Sequence, residues 1–126
     1  MKKLLLGMML LLAIATSYSQ ETFVRKYTSM ISTKNDVSEK QVNANLTVVF
    51  NPSGENGVRF HYGNGNVTEY YQTSNLETGK TVSGEEYQLI EIVDKKDGYQ
   101  ITLQLFDKIG VLRLIFSAGN TIEFYE

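Results

Sequence analysis

The chain has 126 residues, no Cys, no Trp, one His and a formal net charge of −2. Zinc–thiolate, iron–sulfur and cysteine-nucleophile chemistry are therefore excluded, as is any disulfide. Mild acidity without a basic run argues against a nucleic-acid partner.

The first residues read MKKLLLGMMLLLAIATSYSQ. Lys2 and Lys3 form a positive n-region, Leu4 to Ile14 a short apolar run, and Ser17 and Ser19 the small residues a signal peptidase requires. This pattern predicts a signal peptide over residues 1–19, cut before Gln20. The rival reading is a retained N-terminal anchor, but the apolar run is short for a bilayer. No Cys stands at the cut to carry a lipid. The expectation is one all-β domain over residues 20–126, periplasmic or extracellular, with no membrane span after signal removal.

From Thr22 onward, apolar and polar residues alternate with period two, the signature of half-buried strands. In QVNANLTVVFN, residues 41–51, Val42, Ala44, Leu46, Val48 and Phe50 share one face. Similar runs cover 22–31, 58–62, 67–73, 86–94, 99–106, 111–117 and 121–125. Turn-forming stretches separate them: NPSGENG, GNGN, NLETGK, KKDG, DKIG and SAGN. The polar stretch STKNDVSEK, residues 32–40, reads as a loop or one helical turn. Pro52 falls in a loop, where its missing N–H is harmless.

The last four runs constrain their own register, because a one-residue slip turns every side chain to the other face. An even loop at KKDG pairs Ile92 with Leu103 or Ile101, and Asp97-Gly98 suits a type I′ turn. A type I turn at DKIG pairs Phe106 with Val111 and Leu103 with Leu114. A three-residue Ala118-Gly119-Asn120 loop pairs Phe116 with Ile122. One apolar face follows: Ile90, Ile92, Ile101, Leu103, Leu105, Leu112, Leu114, Phe116, Ile122 and Phe124.

The opposite face carries Glu91, Gln104, Arg113 and Tyr125 as a row, with Glu123 diagonal to Arg113. Arg113 interrupts VLRLIF, a run otherwise prone to aggregate. As a solvent face, such exposed pairs stabilise weakly. As a recognition face, Arg beside aromatic residues suits a protein or envelope component. These five residues are the first binding candidates.

The second candidates surround the only His, in FHYGNGNVTE, residues 60–69: His61, Tyr62, Glu69 and Tyr70. Asn64-Gly65 is a strong hairpin signal. A two-residue loop there sets Phe60 against Glu69. An odd loop sets His61 against Glu69 and Phe60 against Tyr70. The turn signal favours the first and the apolar pattern the second. A metal reading is poor, since one His and no Cys leave carboxylates to supply the remaining ligands. A Ser-His-Asp triad would have to use His61, and no Gly-x-Ser-x-Gly elbow is present. Asn45-Leu-Thr47 and Asn66-Val-Thr68 match a short glycosylation pattern that recurs by chance.

The predicted fold is an all-β antiparallel meander of about eight strands, a small barrel or strongly curled sheet, with a two-layer sandwich as the alternative. The architecture resembles that of lipocalin-like barrels. Their Gly-x-Trp signature is absent, as the chain has no Trp, and no family is assigned. Three functions are compatible: a non-catalytic exported module that binds a protein or envelope component, a carrier of a small apolar ligand, and, last, an enzyme. The reading is non-enzymatic, without cofactor or metal. Large residues on the predicted core face weigh against much empty volume for a ligand.

Overall fold

A computed structural model describes residues 21–126. The expected signal peptide, residues 1–19, lies outside the described residues. Alternation drives the chain into strands: β1 (Phe23–Lys34), β2 (Val37–Ser38), β3 (Val42–Phe50), β4 (Gly57–Tyr62), β5 (Val67–Gln72), β6 (Glu77–Lys80), β7 (Glu86–Asp94), β8 (Gln100–Phe106), β9 (Val111–Phe116) and β10 (Thr121–Tyr125). Two short 3-10 turns, Pro52–Gly54 and Asp107–Ile109, complete the described elements.

Eight strands close into an antiparallel barrel in the order β1-β3-β4-β5-β7-β8-β9-β10. Closure is made by β1 and β10, from Ser29 opposite Tyr125 to Thr33 opposite Thr121. A closed barrel leaves no strand edge unpaired, which removes the usual route to edge-to-edge aggregation. The sandwich alternative is thereby excluded. Eight strands give an interior that side chains can fill or that can hold one small ligand.

All eight predicted runs are strands. Two additional strands lie where none was expected. Asn35 and Asp36 both take positive φ, 50° and 63°. That is the geometry of a two-residue hairpin turn, and Asn and Asp tolerate it better than other side chains. The turn pairs Lys34 with Val37, so β1 runs further than predicted and β2 returns beside it. The loop or helical turn expected over residues 32–40 is thus a hairpin tip. Strand β6 occupies ETGK, within a stretch read as a turn. Its residues have little intrinsic strand preference. It forms because β5 leaves β7 after Gln72 pairs Ile92, which exposes the edge of residues 86–89, and β6 covers that edge.

The core register is largely as expected. Ile92 faces Ile101, Leu103 faces Leu114, and Phe106 faces Val111. Two loops differ. KKDG is a four-residue loop. Gly98 has positive φ and Asp97 does not, so the type I′ turn is not formed. Asp94 Oδ1 instead accepts the N–H groups of Lys96 and Asp97 at 2.7 and 3.1 Å. The last hairpin is shifted by two residues, with Ile122 opposite Leu114 and Phe124 opposite Leu112. Its three-residue loop is Ser117-Ala118-Gly119, which places Gly119, φ 80°, at the left-handed position that closes such a loop. A shift of two preserves the inward face, so the apolar pattern could not distinguish these registers.

Tyr27, Leu46, Val48, Val58, Phe60, Ile92, Leu103 and Leu112 are fully buried and plug the middle of the barrel. Burying a large apolar side chain is worth about 1.5–3 kcal/mol, so this plug dominates stability. Ten predicted core residues all face it; Phe116 and Ile122 are half-buried at its margin.

Candidate functional site

The plug leaves a recess at each end. Strands β1, β4, β7 and β9 start at one end, here the lower, and finish at the upper. The upper recess is a cup of about 570 Å³. Its wall includes Met30 of β1, Ala44 and Leu46 of β3, Tyr62 of β4, Tyr70 of β5, and Phe116 of β9. These strands lie on opposite sides of the barrel, so the cup is the mouth of the barrel itself. Its volume falls in the usual range for small-molecule sites, about 300–1,000 Å³. Its wall is apolar because inward positions of β1, β3, β9 and β10 carry Met, Ala, Leu, Ile and Phe. Two phenols interrupt it. Tyr70 is buried and Tyr62 is partly exposed at the mouth. Burial raises the pKa of both above that of free tyrosine. Both therefore remain protonated at neutral pH and can donate a hydrogen bond.

The lower recess, about 730 Å³, is different. Phe23, Phe50, Ile90 and Leu105 form its floor, while Asn51, Asn56, Gln72 and Gln88 contribute amides. Beside it Arg25 forms a two-point ion pair with Asp107, 2.6 and 2.9 Å. The pair ties β1 to the turn between β8 and β9. Arg25 also lies 5.0 Å from the Phe23 ring, which stacks on Phe50 at 4.5 Å. The hydrogen bond from Arg25 holds the Asp107 carboxyl below its ordinary pKa. Tyr27, a plug residue two positions along β1 from Arg25, is 1% exposed, and its hydroxyl has no hydrogen-bond partner among the described residues.

The first predicted candidates do not form one row. The register places Glu91 opposite Thr102, Gln104 opposite Arg113, Arg113 opposite Glu123, and Tyr125 opposite Val111. The four-residue loop at KKDG, where the row required two residues, and the shift of the last hairpin cause the difference. Four of the five nevertheless form a connected outer cluster. Arg113 donates to Gln104 Oε1 at 3.2 Å and pairs with Glu123 at 3.3 Å. Tyr125 donates to Glu123 Oε2 at 2.6 Å, and that bond, more than burial, pushes its pKa up to about 12. Arg113 covers the Phe106 ring at 5.4 Å, and Tyr87 packs on the same ring at 5.6 Å. Phe106, though outward-facing, is only 2% exposed as a result. Glu91 stands apart and accepts from Gln100 at 2.9 Å.

The second candidates divide between the two faces. The loop is Gly63-Asn64-Gly65, with Gly65 at φ 90°. Glycine adopts this conformation at little cost, which an L side chain does not. The loop is odd, as the apolar pattern suggested, but the register differs from that pairing by two residues, the partner of Phe60 moving back from Tyr70 to Thr68. Phe60 faces Thr68, Arg59 faces Glu69, and His61 faces Val67. His61 and Glu69 are therefore not cross-strand partners. Glu69 binds Arg59 at 2.9 Å and Lys95 at 3.8 Å on the outside. Tyr62 and Tyr70 alone of the four point inward, into the cup. Among the described residues, no group of three or more His, Cys, Asp or Glu is placed to hold a metal, and no helix is long and apolar enough to cross a membrane.

Met30 and Ala44 belong to the cup and were not singled out in the sequence. Period two put Ala44 on an inward face, but only the closure of β1 on β10 brings β1 and β3 around to share one mouth with β8, β9 and β10. Comparison with protein-family models, curated proteins and solved structures finds no match to this chain.

Proposed function

We propose that this protein is an exported, non-catalytic carrier that holds one small apolar ligand in the upper cup. The observation that carries the reading is the cup itself: an apolar barrel mouth of about 570 Å³ with two phenol donors in its wall. Small-molecule sites commonly combine apolar walls with a few polar groups of this kind. Export rests on the charged, apolar and small-residue pattern of residues 1–19.

The test uses the mature protein, whose intact mass should be that of residues 20–126; a full-length mass would overturn the export reading. The neutral dye N-phenyl-1-naphthylamine should brighten on titration with it. Ala44→Phe adds a ring to the cup wall and should weaken dye binding by about tenfold or more, equivalent to 1.4 kcal/mol, with an unchanged circular dichroism spectrum. Dye binding that ignores Ala44→Phe would remove the cup from the proposal.

Capture of a protein or envelope component by the outer cluster is the second reading. It ranks lower because the guanidinium of Arg113 already engages Gln104, Glu123 and Phe106. A cup that binds no dye, together with loss of partner capture in Arg113→Glu, would reverse the order.

A further inference from the structure

We infer that the upper cup selects an electrically neutral ligand, an amphiphile with an apolar body and one hydrogen-bond acceptor, and rejects a carboxylate with the same chain. This rests on the carrier reading. The cup wall contains no Lys, Arg or His, and no Asp or Glu. Its polar groups are the phenols of Tyr62 and Tyr70 and the amides of Asn45 and Asn64. A carboxylate entering such a cup would lose its hydration without gaining a counter-charge, and an apolar surrounding penalises that strongly.

A neighbouring fixed charge makes the selection sharper. Asp94 is the cross-strand neighbour of Tyr70. Its carboxylate acts on both phenols and helps to raise their pKa values, after the larger effect of burial. Any anion placed beside those phenols would meet the same negative charge. The adjacent cation gives no relief, because Lys95 turns outward to Glu69 at 3.8 Å and to the Tyr71 ring at 4.6 Å. The protonated phenols can still donate to a carbonyl, ester or hydroxyl oxygen. Esters, ketones and alcohols therefore fit the cup, and free fatty acids do not.

The experiment is displacement of N-phenyl-1-naphthylamine by methyl decanoate and by decanoate at pH 7.5. The two share a chain and differ in charge. Methyl decanoate should displace the dye at a concentration about tenfold lower or more, a difference of 1.4 kcal/mol. Equal potency, or preference for decanoate, would overturn the inference while leaving the carrier reading intact. Absence of dye binding by the wild-type protein would overturn the carrier reading and the inference with it. Met30→Arg puts a cation into the wall. It should raise decanoate potency about tenfold relative to the ester; an unchanged ratio would show that charge in the cup is not the discriminator. Should that variant fail to fold, Asp94→Asn serves in its place. It keeps an acceptor for the Lys96 and Asp97 N–H groups and should narrow the ratio, and an unchanged ratio would again count against the inference.

Discussion

The two ends of the barrel share one set of strands yet differ in chemistry. At the lower end Arg25 and Asp107 strap β1 to the β8–β9 turn, and amides surround the recess. At the upper end the wall is Met, Ala, Leu, Ile and Phe with two phenols and the amides of Asn45 and Asn64, and no charged side chain lines it. The inward rows run continuously between them. The difference arises where strands end, since a terminal inward position is half in water and tolerates Arg or an amide at low cost. The lower end uses that freedom for fastening. The upper end keeps Met30, Ala44, Ile101, Phe116 and Ile122 along its wall, which is the surface an apolar guest would need.

The plug and the cup should respond differently to truncation. Phe60, 0% exposed, contacts the Tyr62 and Tyr70 rings at centroid distances of 6.3 and 5.1 Å. Phe60→Ala should cost about 3–5 kcal/mol in urea unfolding. Phe116→Ala, at the half-buried margin of the cup, should cost about 1 kcal/mol or less in stability, yet weaken dye binding. Equal stability losses would mean that the cup is part of the plug and not a separate site.

The strap predicts a dependence on acid. The folded pKa of Asp107 is depressed by Arg25, so its contribution is fully present above the unfolded value of about 4 and is lost as pH falls through the folded value. Both side chains are partly exposed, 33% and 44%, so solvent screening limits the effect to about 0.5–1 kcal/mol. Asp107→Asn should remove that increment at neutral pH and flatten the stability profile below about pH 4. Dye binding in the upper cup should not change. A profile identical to wild type would show that the strap does not fasten the lower end.

The smallest effect concerns Tyr27. Its hydroxyl is buried without a partner among the described residues, so Tyr27→Phe removes a polar group whose desolvation is uncompensated. Stability should be unchanged or rise by up to about 1 kcal/mol. A clear loss in thermal unfolding would show that the hydroxyl contributes to the lower end.

Much of this fold is legible along the chain because the signal is local. Alternation at Gln100–Phe106 or Val111–Phe116 sorts each side chain to a face within a few residues, and the core face of the last four strands follows from parity. Parity has period two, so it could not separate registers that differ by two. That is why the last hairpin and the β4–β5 hairpin were each displaced, and why Glu91 and Tyr125 left the row assigned to them. Strand β6 was hidden for another reason: ETGK acquires its conformation from the free edge of β7, not from its own preference.

The sequence by itself determined an all-β chain, its eight main strands, a cysteine-free core and the face on which the core residues of β3 and of the last four strands lie, since these depend on neighbours one or two residues away. Only the tertiary structure decided that the sheet closes, that Met30 and Ala44 share one mouth with Ile101 and Leu114, and that Tyr62 and Tyr70 enter a cup while His61 and Glu69 remain outside. Those outcomes depend on β1 meeting β10 from the far end of the chain, and on loop geometry that chooses between registers of equal hydrophobic merit.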